Sequence, residues 1–120
     1  ALLPLDIRFA DKKANLDMVC KRIHDLPEGT DLVVLPEMFN VGFGDFPEGV
    51  GSVAESDDGL TIETIKQLSL ERSIAICGGF IGKSGSEVYN RCFFVSTTNA
   101  IYSTGLNRQC SRPVRRSHLL

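Results

Sequence analysis

Apolar residues along this 120-residue chain follow two different periods. Leu16, Val19, Cys20, Ile23 and Leu26 recur three and four residues apart, which puts them on one helix face and predicts a helix from Ala10 to Leu26. Pro27-Glu28-Gly29 ends it. The uninterrupted run Leu32-Val33-Val34-Leu35 is bounded by turn formers and reads as a buried strand. Pro36 has no N–H to give a sheet ladder, so regular pairing is expected to stop there. An earlier strand is expected from Leu2 to Arg8. A long loop with five glycines then runs from Met38 to Gly59. Loops of that length are commonly functional. Thr61 is positioned to cap a second helix with Ile62, Ile65 and Leu68 facing inward. Strands follow over Ile74–Ile81 and Val88–Ser96, joined by a polar turn at Ser84-Gly85, and a short strand over Ala100–Tyr102. Alternating strands and helices predict an α/β fold.

This pattern singles out one residue for chemistry. Glu37 sits just past the carboxyl end of the strand that closes at Leu35, where active sites of α/β folds gather. Met38, Phe39, Val41 and Phe43 give it apolar neighbours, a setting that suits a carboxylate for proton transfer. The plain alternative is a surface glutamate at a strand–loop junction.

The segment Asp31-Leu32-Val33-Val34-Leu35-Pro36-Glu37-Met38-Phe39-Asn40-Val41-Gly42-Phe43 resembles the first catalytic block of the carbon-nitrogen hydrolases, the nitrilase and amidase superfamily. Three further stretches resemble that family in order: Ala10-Asp11 with Asn15, Gly59-Leu60-Thr61, and Tyr89-Asn90-Arg91 before Phe93-Phe94-Val95-Ser96. The similarity runs from Ala1 to about Tyr102, and Met-Phe-Asn-x-Gly-Phe looks most like the omega-amidase branch. The resemblance implies a four-layer α-β-β-α sandwich. Residues 1–103 would be its N-terminal half and residues 104–120 a divergent basic tail.

It also implies hydrolysis of a small amide by a glutamate, a lysine and a cysteine. The thiolate attacks the amide carbon, the glutamate takes the thiol proton and later activates water, and the lysine stabilises the oxyanion. Glu37 alone carries over, as the base. Phe39 and Phe43, with Phe46, fall where the family walls its substrate pocket; equally, they could pin the loop to the core. No lysine follows Lys83, which lies in the turn Gly82-Lys83-Ser84-Gly85-Ser86, and Arg108 has a different geometry and context. None of Cys20, Cys77, Cys92 and Cys110 has the context of the family's nucleophile. Cys20 and Cys77 fall in apolar patterns and read as core. The chain is therefore expected to have little activity by itself. Two alternatives stand beside this reading: a non-catalytic fragment that associates with a homologous subunit, and an unrelated small α/β binding domain.

Composition narrows the field. A hydrophobic fraction of 42% and a charged fraction of 23% are those of a globular protein. The net charge of −2 conceals an asymmetry: no acidic residue follows Glu87, while the end of the chain carries Arg108, Arg112, Arg115 and Arg116. That stretch has no aromatics and no nucleic-acid motif, so no nucleic-acid partner is expected. A reading-frame change or alternative ending is the favoured account of it, against a solvated terminus. No apolar run reaches the roughly 18 residues of a membrane span, and Asp6 and Arg8 break up the N-terminal apolar run, which argues against a signal peptide. Four cysteines without framework spacing point to reduced thiols and a cytoplasmic setting. His24 and His118 lack partners at metal-ligand spacing, so neither metal nor cofactor is expected. The expected partners are a small-molecule amide and a second copy or a homologous subunit.

Overall fold

The computed structural model describes residues 1–103. The expectations for residues 104–120, including the basic tail with Arg108, Cys110 and His118, lie outside the described residues.

The first helix, α1 (Lys12–His24), opens where the Asp11 carboxylate accepts the Ala14 N–H at 3.1 Å. This satisfies one of the donors that every helix start leaves unpaired. Its apolar stripe, Leu16, Val19 and Ile23, is buried as the spacing predicts. The second helix, α2 (Leu60–Arg72), buries Ile62, Ile65 and Leu68 in the same way. It ends at Ser73, whose φ of 53° is left-handed. Arg72 then ties the helices together. Its guanidinium donates to the carbonyls of Ile23, His24 and Leu26 at 2.7–3.0 Å, at and just past the end of α1.

Four strands make one sheet in the order β1 (Leu32–Glu37), β2 (Ala75–Ser84), β3 (Glu87–Val95), β4 (Ala100–Ser103). The pair β1–β2 is parallel, with α2 in the crossover; β2–β3 and β3–β4 are antiparallel hairpins. Three expectations need correction. The strand expected over Leu2–Arg8 reduces to a single bridge between Leu2 and Val34 among the described residues: Val34 donates to Ala1 O and Leu3 to Val34 O, and the next donor toward Leu3 O would be Pro36, which has no N–H. Pairing does not stop at Pro36: the register shifts between Val34 and Glu37, and Glu37 pairs with Gly79. The bulge absorbs the missing donor. The loop over Met38–Gly59 is also not irregular throughout. It holds a 3-10 turn at Val50–Ser52, and Glu55 bridges Gly82 beside β2.

The register separates the sheet's two faces. Val33, Leu35, Ile76, Phe80, Phe93 and Val95 point to the helices and join Leu16, Val19, Ile23, Ile62, Ile65 and Leu68 in the main core. On the other face Val34, Cys77, Phe94 and Ile101 form one row across all four strands. Phe94 and Ile101 are 40% and 55% exposed there. The described residues thus make one helix layer on one sheet layer, with the second sheet face open around Phe94 and Ile101. A second, smaller core joins Met38, Val41 and Ala54 of the loop to Ile81 of β2. Among the described residues no helix is long and apolar enough to cross a membrane.

Candidate functional site

Glu37 closes β1 at its carboxyl end, as the sequence suggests, and is exposed. Its Cα partner is Gly79, and a Cβ on Gly79 would lie 3.4 Å from Glu37 Cγ. The carboxylate stem therefore lies against a position where glycine leaves room. Gly79 shares its register row with Cys92 and its face with Cys77, so Glu37 stands on the open face of the sheet. Among the described residues no hydrogen bond or ion pair engages its carboxylate. The backbone beside it is firmly held. Met38 has a φ of 54°, its N–H donates to Gly79 O at 2.9 Å, and its carbonyl accepts from Val41 and Gly42 at 3.2 and 2.7 Å. A non-glycine residue at positive φ persists only where its surroundings enforce it.

The other residues expected at the site separate. Phe39 is 0% exposed and meets Phe93 edge-on at 6.1 Å in the helix-side core, on the opposite side of the sheet from Glu37. Phe43 is 70% exposed, whereas Phe46 stacks on Phe9 at 4.8 Å. Lys83 is exposed at the β2–β3 hairpin. It lies four residues beyond Gly79 along β2, about 13 Å at the rise of a strand. It lines a shallow polar cleft with Asp57, Asp58, Tyr89 and Arg91. Burial pushes the thiols of Cys20 and Cys77 up, which keeps them protonated and unreactive. Among the described residues no group of three or more His, Cys, Asp or Glu side chains could hold a metal ion.

Two arrangements were not visible in the sequence. The first centres on Glu55, which is 8% exposed. One carboxylate oxygen accepts the Thr61 N–H at 2.8 Å; the other accepts the Thr61 hydroxyl at 2.6 Å and pairs with Lys12 at 2.7 Å. Asn40 Nδ2 donates to the same Thr61 hydroxyl at 2.8 Å. Burial pushes the Glu55 carboxyl up, but the hydrogen bonds from Lys12 and Thr61, with the charge on Lys12, hold it below the ordinary glutamate value. The expectation that Thr61 caps α2 is corrected here. The cap position is Gly59, which makes no side-chain bond, and Glu55 takes over from outside the helix. The second is a fork between Arg91 and Asp57, with Arg91 also 5.7 and 5.2 Å from the Tyr89 and Tyr102 ring centres. The hydrogen bonds that Arg91 donates to the Asp57 carboxylate raise the Arg91 pKa further above its already high value.

The sequence matches the family profile described as Carbon-nitrogen hydrolase over residues 1–119. No curated protein sequence matches it. Among solved structures it is similar to a CN-hydrolase superfamily protein from Xanthomonas campestris with an arsenic adduct in its active site. That likeness has a TM-score of 0.74 and 25% identity, over 89% of this chain and 42% of that one. It is also similar to an amidase from Nesterenkonia sp., with a TM-score of 0.70 and 16% identity over 88% of this chain and 41% of the other. A third, an N-terminal amidase, gives 0.65 and 13%, over 88% and 28%. The chain spans less than half the length of each of these neighbours.

Proposed function

This chain belongs to the carbon-nitrogen hydrolase family, and from that premise we propose that it carries the base of an amide hydrolase of the omega-amidase type. Glu37 is that base. It would take the proton of an attacking thiol and then activate the water that releases the acyl group. The observation that carries this reading is the position of Glu37: exposed at the carboxyl end of β1, over Gly79, with no ion pair or hydrogen bond engaging its carboxylate among the described residues. Phe43 is the aromatic that would meet substrate, and Phe39 holds the loop beneath it from the core side. The substrate class is a small amide, and the setting is cytoplasmic.

No lysine follows Lys83, and no cysteine stands in the context of the family's nucleophile. The chain alone is therefore expected to turn over little. A second reading has its own support. The row Val34, Cys77, Phe94 and Ile101 leaves apolar surface on the open sheet face, which fits association with a homologous subunit or a second copy. Both readings meet in one experiment. The chain is mixed with a carbon-nitrogen hydrolase fragment that supplies lysine and cysteine but lacks the glutamate block, and ammonia release from succinamate is followed. The expected result is activity with the native chain and none with Glu37→Gln. Equal activity with both would remove Glu37 from the reaction. No association would remove the second reading.

A further inference from the structure

We propose that Glu55 is a positioning residue for Glu37, acting through the turn at Met38–Gly42; this rests on the reading of Glu37 as the base. Among the described residues Glu55 is the one charged side chain that is buried. A carboxylate withdrawn from water costs free energy unless it is paired and fully hydrogen-bonded, and a pair of this kind is weak evidence of stabilisation by itself. Here the arrangement links segments that would otherwise be independent.

The Glu55 backbone is fixed to β2. Its N–H donates to Ile81 O at 3.0 Å and its carbonyl accepts from Lys83 at 2.9 Å, just beyond the Gly79 that pairs with Glu37. Its side chain reaches the first residue of α1, Lys12, and the start of α2 at Thr61. Thr61 hands the connection on to Asn40, three residues after Glu37. The main-chain carbonyl of Asn40 is gripped from the other side by Asn15 Nδ2 at 2.8 Å. Asn40 Oδ1 is buried and has no hydrogen-bond partner among the described residues, so that side chain is fixed through Nδ2, which donates to Thr61 and, at 3.5 Å, to Glu55 Oε2 itself. Gly59 completes the geometry. A Cβ there would lie 2.6 Å from Glu55 Oε1, so the ordinary capping position is kept bare for a carboxylate that arrives from the loop. Met38, next to Glu37, is held at a φ of 54°. The network around Asn40 is what the fold places against that unfavourable turn.

The test uses the whole 120-residue chain and amide hydrogen exchange read by NMR, with the Glu37 carboxyl carbon resonance as a second signal. Glu55→Gln keeps the shape but loses the charge paired with Lys12. It is expected to speed exchange at Met38, Val41 and Gly42 by about tenfold more than at the core amides of Ile76 and Val95, and to move the Glu37 resonance. Lys12→Met, which leaves the carboxylate in place, is expected to loosen the same three amides, and it decides the matter if Glu55→Gln does not fold. Uniform loosening of turn and core, or an unmoved Glu37 resonance, would reduce Glu55 to a structural residue. Glu37→Gln is expected to leave the turn as protected as in the native chain. Failure here is therefore distinct from failure of Glu37 as base, which is read by ammonia release.

Discussion

Replacing Glu55 by alanine removes the acceptor for two Thr61 bonds and the partner of Lys12. The Thr61 N–H lies in the first turn of α2, and Thr61 itself is 0% exposed, so this donor depends on Glu55 for its acceptor. A buried donor left unpaired costs about 1–3 kcal/mol. The Thr61 hydroxyl keeps Asn40 as a donor but loses its own acceptor, a net hydrogen bond of about 1 kcal/mol. The Lys12 side chain is 25% exposed and can rehydrate, so it adds little. The expected loss is about 3 kcal/mol, a large part of the roughly 5–15 kcal/mol that holds a domain together. Urea unfolding at neutral pH, followed by circular dichroism, measures it. The loss also has a pH signature. The folded-state pKa of Glu55 is lowered, so its contribution is complete above the unfolded value of about 4.3 and drains away as pH falls through the folded value. The difference between native and variant chains should therefore narrow in acid. A neutral-pH difference under about 0.5 kcal/mol, or a difference that does not change with pH, would refute the account of Glu55 as an ionised external cap.

Two further outcomes are expected. Phe94→Lys combined with Ile101→Lys, on the open sheet face, should shift sedimentation toward monomer at a stability cost within about 1 kcal/mol, whereas Phe93→Lys on the core face should abolish folding. Ser73→Gly should raise the melting temperature slightly, by the roughly 1 kcal/mol that a non-glycine residue loses at φ 53°; a lower melting temperature would mean that the Ser73 side chain contributes more than its backbone costs.

Where a periodic signal was local, the sequence carried it. The stripes of α1 and α2 were legible because helical spacing alone brings Leu16 to Ile23 and Ile62 to Leu68 onto single faces. The place of Glu37 at the carboxyl end of β1 was legible because the apolar run Leu32-Val33-Val34-Leu35 leads into it. Three things were not. The run over residues 2–7 has a composition that suggests a strand, but its neighbour β1 carries Pro36 where the next ladder donor is needed, and pairing is limited to one bridge. The second core joins Met38 and Ala54 to Ile81, residues too far apart in the chain for any window to connect. Glu55 lies in the acidic stretch Glu55-Ser56-Asp57-Asp58, which reads as solvated surface. It is buried only because Gly59 clears space and Lys12 arrives from another helix. Phe39 and Phe43 show the same limit. Four residues apart in one loop, they differ from 0% to 70% exposure because the turn that Val41 and Gly42 close onto Met38 O reverses the chain between them.

The central claim, that Glu37 serves as a base toward a thiol, is tested most directly at that thiol. In the complex with a fragment bearing the family's cysteine, the rate at which iodoacetamide modifies that cysteine reports how much of it is thiolate. With the native chain bound, the rate should rise about tenfold or more over the fragment alone, and with Glu37→Gln bound it should not rise. An equal rise with both chains would show that the thiolate forms without Glu37 and would contradict the account.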